Sequence, residues 1–178
     1  MQRSRTSPVV ALARRNDLED LIRLVRAYYR FEGIRFRQSA VAALRKLLAM
    51  PTLGRAWILR DRARAIGYAI LTFNFDVEFG GLEGILTDLY LQPGHRGQGL
   101  GRRLVDVACA YCRSRGVETI ELQVGESNEA AQEFYRRLGF ERLSRLVMAR
   151  EVSKPLLARA RGRDRLNRAK APKRGVGL

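Results

Sequence analysis

Gly94, His95, Arg96, Gly97, Gln98, Gly99, Leu100, Gly101, Arg102 and Arg103 follow directly on an apolar run that stops at Pro93. A strand that ends in glycines and opens into a helix has a definite chemical use. Glycine lets the backbone turn tightly and approach a ligand with no side chain between them. The first N–H groups of a helix have no intrahelical partner, and the helix dipole favours an anion there. The run is therefore a candidate pyrophosphate cradle, with Arg96 and Arg102 as counter-charges.

Three other readings of the glycines fare less well. A nucleotide P-loop needs G-x-x-x-x-G-K-[ST], and no lysine stands at that place. The dinucleotide fingerprint G-x-G-x-x-G fails in both registers, because Arg102 and Leu104 hold the positions of the third glycine. Glu126 stands where a ribose-binding acid would lie, but the fingerprint it would complete is missing. A tight turn without a ligand would not need glycines at three alternate positions flanked by arginines.

Arg96-Gly97-Gln98-Gly99-Leu100-Gly101 matches [QR]-x-x-G-x-[GA], the acetyl-CoA motif of the GNAT superfamily of N-acetyltransferases. The segment running from Asn128 through Ala131, Phe134 and Tyr135 to Gly139 and Phe140 resembles that family's N-x-x-A-x-x-[FLY]-Y-x-x-x-G-F pattern. The likeness covers about residues 9–152 and is strongest over 88–140. It implies acetyl transfer from acetyl-CoA to an amine, with no metal. It also implies a pantetheine arm bonded to the main chain of Leu89, Tyr90 and Leu91, one of whose N–H groups would hold the acetyl oxygen. The pyrophosphate would rest on the amides of Gly97, Gln98, Gly99, Leu100, Gly101 and Arg102. Asn128 would touch the pantetheine region, and Tyr135 would protonate the leaving sulfur. These two residues are seven apart, which places them on one helix face about two turns from each other. The general base stays open among Asp88, Glu83 and Glu78, acting through water, with Glu32 an outsider. Some relatives carry a glutamate where this chain has Thr87. His95 reads as a loop-shaping or phosphate-edge residue.

The positioning elements follow from periodicity and turn signals. Strands are expected at residues 9–13, 55–60, 65–75, 85–91, 117–124 and 142–151. Helices are expected after Asn16 or Asp17, from near Ser39 to Pro51, over 100–115 and after Asn128. The order β-α-α-β-β-β-α-β-α-β describes a single α/β domain. Its sheet is mixed and mostly antiparallel, with helices on both faces and a right-handed crossover around the glycine run. Strict alternation would set Leu86, Asp88 and Tyr90 on one face of their strand, and Ile85, Thr87, Leu89 and Leu91 on the other.

The chain has 178 residues and a net charge of +16. Only Lys46, Lys154, Lys170 and Lys173 are lysine, an arginine bias that also fits a genome-composition effect. Residues 153–178 hold nine Lys or Arg against Asp164 alone, half of the net charge. This basic tail, expected to be disordered, is a candidate contact for a polyanion. Residues 1–8 read as a flexible N-terminus and 9–152 as the acetyltransferase domain. With no apolar leader and no apolar run of about 20 residues, the chain is expected to be cytoplasmic and bacterial. Cys109 and Cys112 lie within a helical pattern and read as small packing residues rather than zinc ligands. The acceptor is either a small amine or a protein amine, bound near residues 28–39 and 78–83. Phe31, Phe36, Phe75 and Phe79 are candidates for its wall or for the core. A homodimer is allowed by the resemblance. A reading from another class also stands: an acyl-CoA-sensing or nucleic-acid-associated module that uses the tail.

Overall fold

The computed structural model describes residues 7–78, 80–150 and 152. The tail from 153 onward, the first six residues and Phe79 lie outside the described residues, and with them the expectations placed there. Five strands lie in the order β1 (Val9–Leu12), β2 (Gly54–Asp61), β3 (Arg64–Asp76), β4 (Gly81–Leu91) and β5 (Ile120–Leu122). The first four are antiparallel neighbours, and β5 joins β4 in parallel. Four helices, α1 (Leu18–Phe31), α2 (Gln38–Ala49), α3 (Leu100–Ser114) and α4 (Glu129–Arg137), complete the α/β fold.

The sheet separates two cores. Leu21, Leu24 and Val25 of α1 and Val41 and Leu44 of α2 pack on Ile58, Tyr68, Ile70 and Tyr90. On the other side Leu100, Leu104, Val105, Ala108 and Cys112 of α3 pack on Leu71, Leu86, Leu89 and Leu91, joined by Phe134 and Leu138. Helices therefore cover both faces, as the alternating element order requires. Burial pushes the Cys112 thiol up to about 11, in keeping with a packing role. No helix among the described residues is long and apolar enough to cross a membrane.

Four expectations need correction, the last of them in β4. The strand expected over 142–151 does not form: residues 142–150 pair with nothing in the sheet and are exposed. Their apolar side chains Leu146 and Met148 are 89% and 91% exposed, so no buried face fixes a register there. The strand expected over 117–124 is three residues long, β5 pairing only with Gly84, Ile85 and Leu86 of β4. Asp17 stands at the N-cap of α1 without capping it. Its carboxylate accepts instead from the Arg14 N–H and from Arg60, each at 2.7 Å, and Asp20 accepts from the same Arg60 at 2.7 Å. That fork of Arg60 ties the start of α1 to β2.

The decisive irregularity is in β4. Ile70 pairs with Asp88 and Leu71 with Leu86, so Thr87 has no partner on β3. This is a β-bulge, and one extra residue reverses the facing of everything beyond it. Leu86 thus shares a face with Leu89 and Leu91, while Asp88 and Tyr90 turn to the α1 and α2 side. The simple alternation that grouped Leu86 with Asp88 is overturned for this reason. The Thr87 hydroxyl donates to the Ile70 carbonyl at 3.2 Å within the bulge.

Close packing across β4 also yields a stability test. A Cβ built on Gly84 would stand 2.8 Å from the Cys112 sulfur and 3.3 Å from Leu71 Cδ1, whereas one on Gly94 meets nothing within 4 Å. Gly84→Ala is expected to cost about 1–3 kcal/mol by overpacking. Gly94→Ala should stay within about 0.5 kcal/mol. Urea denaturation of both variants reads the difference.

Candidate active site

The site grows from the point where β4 leaves β5. The Gln92 N–H donates to the Ile66 carbonyl at 2.9 Å, and Gly67 stands opposite Leu91. Main-chain groups alternate along an antiparallel ladder. Tyr90 and Asp88 therefore turn theirs toward β3, and Leu89 and Leu91 turn theirs toward the β5 side. Among the described residues β5 stops pairing at Leu86, so beyond that point the edge of β4 has no strand beside it. Leu89 and Leu91 are buried under α3 as whole residues, and the Leu91 carbonyl already accepts from Arg96 Nε, so their remaining main-chain groups line the edge that β5 leaves unpaired.

Beyond Gln92 a short turn at Pro93–His95 leads into the glycine run. The Gln98 side-chain amide donates to the Gly94 carbonyl at 3.3 Å and closes the loop. Gly97 and Gly99 have φ of +71° and +74°, a region that penalises any side chain, and a Cβ on either would enter open space. Gly99 occupies the N-cap of α3 with no side-chain cap. The first amides of the helix thus point out of an exposed, glycine-lined turn, which is the arrangement a phosphate needs. Gly101 is a different case. A Cβ there would come within 3.2 Å of the Phe134 ring, so this glycine lets α4 pack on α3. Arg102 stands exposed on the first turn, 3.6 Å from Asp106.

Asn128 caps α4, its side-chain oxygen accepting from the Ala131 N–H at 3.2 Å. One helix face on, Tyr135 packs edge-on against Phe134 and Phe140, with ring centroids at 5.1 and 5.5 Å. Burial, and then the nearby Asp88 charge, hold the Tyr135 phenol well above the usual range, so it stays protonated.

Asp88 is enclosed by aromatic rings. The buried Tyr68 hydroxyl donates to its Oδ2 at 3.1 Å. Tyr28 stacks against Tyr68 and Tyr90 at 6.5 and 5.8 Å. Burial raises the Asp88 carboxyl to about 6, and the Tyr68 bond only partly offsets it. A carboxylate that ionises near 6 is charged at neutral pH and still basic enough to take a proton. Burial, then Asp88, also push the Tyr28 phenol up. Tyr28 and Tyr68 are contributors the sequence reading did not single out. Their signal was present only as aromatic positions on a helix stripe and a strand, and the register that joins them to Asp88 needed the bulge.

The remaining carboxylates separate. Glu83 is 3% exposed and shares the Asp88 face because of the bulge, but it lies on the order of 15 Å along the strand from Asp88. Burial raises its carboxyl, the Asn74 bond opposes this, and Glu121 and Asp76 raise it further. Glu78 is exposed and ion-paired with Arg145 at 2.6 Å. Glu32, at the end of α1, is half-buried and raised by burial against the opposing charge of Arg96. Arg96 itself turns inward: Nε donates to the Leu91 carbonyl at 3.1 Å and the guanidinium lies 4.7 Å from the Phe31 ring centroid. Phe36 carries Arg26 at 4.8 Å, and Phe75 is 71% exposed.

The model of the Acetyltransferase (GNAT) family matches residues 18–140, which contain both the glycine turn and α4. The chain belongs to the GNAT acetyltransferase family. An uncharacterised N-acetyltransferase of Methanocaldococcus jannaschii is 44% identical over 54 residues, 30% of this chain and 24% of that protein. The N-alpha-acetyltransferase 30 of Schizosaccharomyces pombe is 36% identical over 92 residues, 51% of this chain and 60% of that one. The matches thus span less than two thirds of these relatives. An integron cassette protein from the mobile metagenome of Cole Harbour Salt Marsh superposes with a TM-score of 0.73 at 30% identity, covering 82% of this chain and 91% of its own. An aminoglycoside N-acetyltransferase in complex with CoA has a TM-score of 0.75 at 17% identity over 85% and 99% of the two chains, a likeness of fold. Both the glycine turn and α4 lie inside the matched residues, and Gly101 at the start of α3 brings Phe134 of α4 against it.

The burial of Asp88 makes a signed prediction. Its carboxyl ionises at about 6 in the fold and near 3.8 when unfolded. The fold thus opposes the charge, and the stability contributed by protonated Asp88 is lost as pH rises from about 4 to about 6. Asp88→Asn removes a cost of about 2–3 kcal/mol above pH 6 and changes little at pH 4. Denaturant titrations at pH 4 and 7.5 should show a gain only at the higher pH.

Proposed function

We propose that the protein moves an acetyl group from acetyl-CoA directly to a primary amine. The observation that carries this reading is the exposed turn of positive-φ glycines at the start of α3, beside the main-chain edge of β4 that β5 leaves unpaired. Asp88 and Tyr135 supply a carboxyl and a phenol near that edge. Acetyl-CoA supplies an activated thioester. The amides of residues 97–102 suit its pyrophosphate, with Arg102 nearby. The main-chain groups of Leu89 and Leu91 suit an extended amide-bearing arm, and one such N–H suits the oxyanion formed during attack. Asn128 would orient that arm from the α4 side. Residues 9–152 form the catalytic unit in this proposal.

Proton traffic is divided by environment. Asp88 takes a proton from the attacking amine, directly or through water. Tyr135 gives one to the departing sulfur, and exchange with solvent restores both groups. Glu83 lies too far along the strand to share that step. Its place near Asp76 and Glu121 on the same face favours drawing a cationic amine toward the cleft. Glu78 serves its ion pair with Arg145.

Tyr135→Phe tests the assignment, because it removes the acid and keeps the ring. Turnover, followed as release of the coenzyme A thiol with a panel of amines and peptides, should fall by about 100-fold or more while the acetyl-CoA Kd changes little. Unchanged turnover at saturating substrate would remove Tyr135 from the reaction.

A further inference from the structure

Arg96 has a position that phosphate neutralisation alone does not call for. It lies one residue before the glycine turn, on the short connection between β4 and α3. Its Nε donates to the Leu91 carbonyl, the last main-chain acceptor of β4, at 3.1 Å. Its guanidinium lies over the Phe31 ring at 4.7 Å and near the Tyr90 ring at 5.8 Å. Phe31 is the last residue of α1, and Glu32 follows as its C-cap. The next glycine, Gly33, has φ of +69° and begins the loop that leads to α2. One planar cation thus spans three parts: the edge of β4, the loop that carries the glycine turn, and the end of α1.

We propose that Arg96 is a positioning residue that couples the glycine turn to the α1–α2 loop, so that filling the turn orders residues 28–36 on the acceptor side of the cleft. The inference rests on the cofactor reading above and adds a connection to it. A guanidinium can donate in its plane and stack on an aromatic face at the same time, which an ammonium cannot do. Any shift of the turn that moves Arg96 must therefore move the Phe31 ring or break the stack. The same contact reaches Tyr90, whose ring neighbours Tyr28 in the cage around Asp88. The acceptor wall and the cofactor turn are joined through one side chain, while the rest of the α1–α2 loop rests on its own contacts, such as Tyr29 on Phe36 at 6.0 Å.

Coenzyme A itself is the probe, so no acceptor needs to be known. Calorimetry gives its Kd, and amide hydrogen exchange gives the protection of residues 28–36 with and without it. The wild-type protein should show slowing of exchange in that segment by roughly fivefold or more on binding. Phe31→Leu removes the stack without touching the turn. It should keep the coenzyme A Kd within about threefold and lose the ligand-dependent protection. Arg96→Lys keeps the charge and loses the planar fork, and it should lose the same protection. Should Arg96→Lys prove unfolded by circular dichroism, Phe31→Leu alone decides. Wild-type protein that binds coenzyme A without protecting 28–36, or protection that survives in Phe31→Leu, overturns the coupling and leaves the cofactor reading intact. Absence of coenzyme A binding to wild-type protein overturns both.

Discussion

In a β-ladder each added residue turns every later side chain to the opposite face, and β4 carries one such residue at Thr87. Most of the site depends on it. Without the bulge, Asp88 and Tyr90 would point into the apolar core under α3, where a carboxylate has no partner. With it, they face α1 and meet Tyr28 and Tyr68. The same point marks the end of pairing between β4 and β5. A single register change therefore gives both the half-buried Asp88 carboxyl and the unpaired main-chain edge beside it. The Thr87 hydroxyl bond to the Ile70 carbonyl satisfies the bulge locally.

Burial then tunes two groups, a carboxyl and a phenol, whose ordinary ionisation ranges already lie far apart. Burial lifts the Asp88 carboxyl into the range of a useful base and holds the Tyr135 phenol protonated. The charge on Asp88 in turn makes ionisation of the surrounding phenols harder, whereas the Tyr68 hydrogen bond pulls the Asp88 carboxyl back down. The glycine turn sets the opposite polarity a few residues away. Its amides and the dipole of α3 attract negative charge, in a chain whose net charge is already +16. An anion-seeking turn close to a carboxyl raised by burial matches the proposed donor, which carries phosphates, and the proposed acceptor, which must lose a proton.

Much of this was legible in the sequence because it rests on local signals. The glycine turn was read from Gly97 and Gly99, which do adopt positive φ, and the α4 face from the spacing of Asn128 and Tyr135. The element order over the first 138 residues followed from periodicity and from Pro51, Pro93 and Gly116 as punctuation. What was not legible depends on pairing between distant segments. The bulge is invisible in the run from Ile85 to Leu91, since any strand reading assumes regular alternation. The grouping of Tyr28, Tyr68 and Asp88 therefore could not be assembled. The strand expected over 142–151 failed because residues with strand propensity still need a face to bury against, and Leu146 and Met148 find none. Arg96 was read as a counter-charge and as the first residue of the glycine motif, and its engagement with Phe31 is a tertiary contact between segments more than 60 residues apart.

The claim at the centre of the account is that the glycine turn and the open β4 edge form a site for acetyl-CoA. Calorimetric titration of the purified full chain with acetyl-CoA tests it most directly, with Gly99→Glu as the comparison. The account predicts micromolar binding by the wild-type protein. It also predicts loss of binding in the variant, whose side chain would strain a φ of +74° and bring a negative charge to the phosphate turn. A folded wild-type protein that gives no binding heat, or a folded variant that binds equally well, would contradict it.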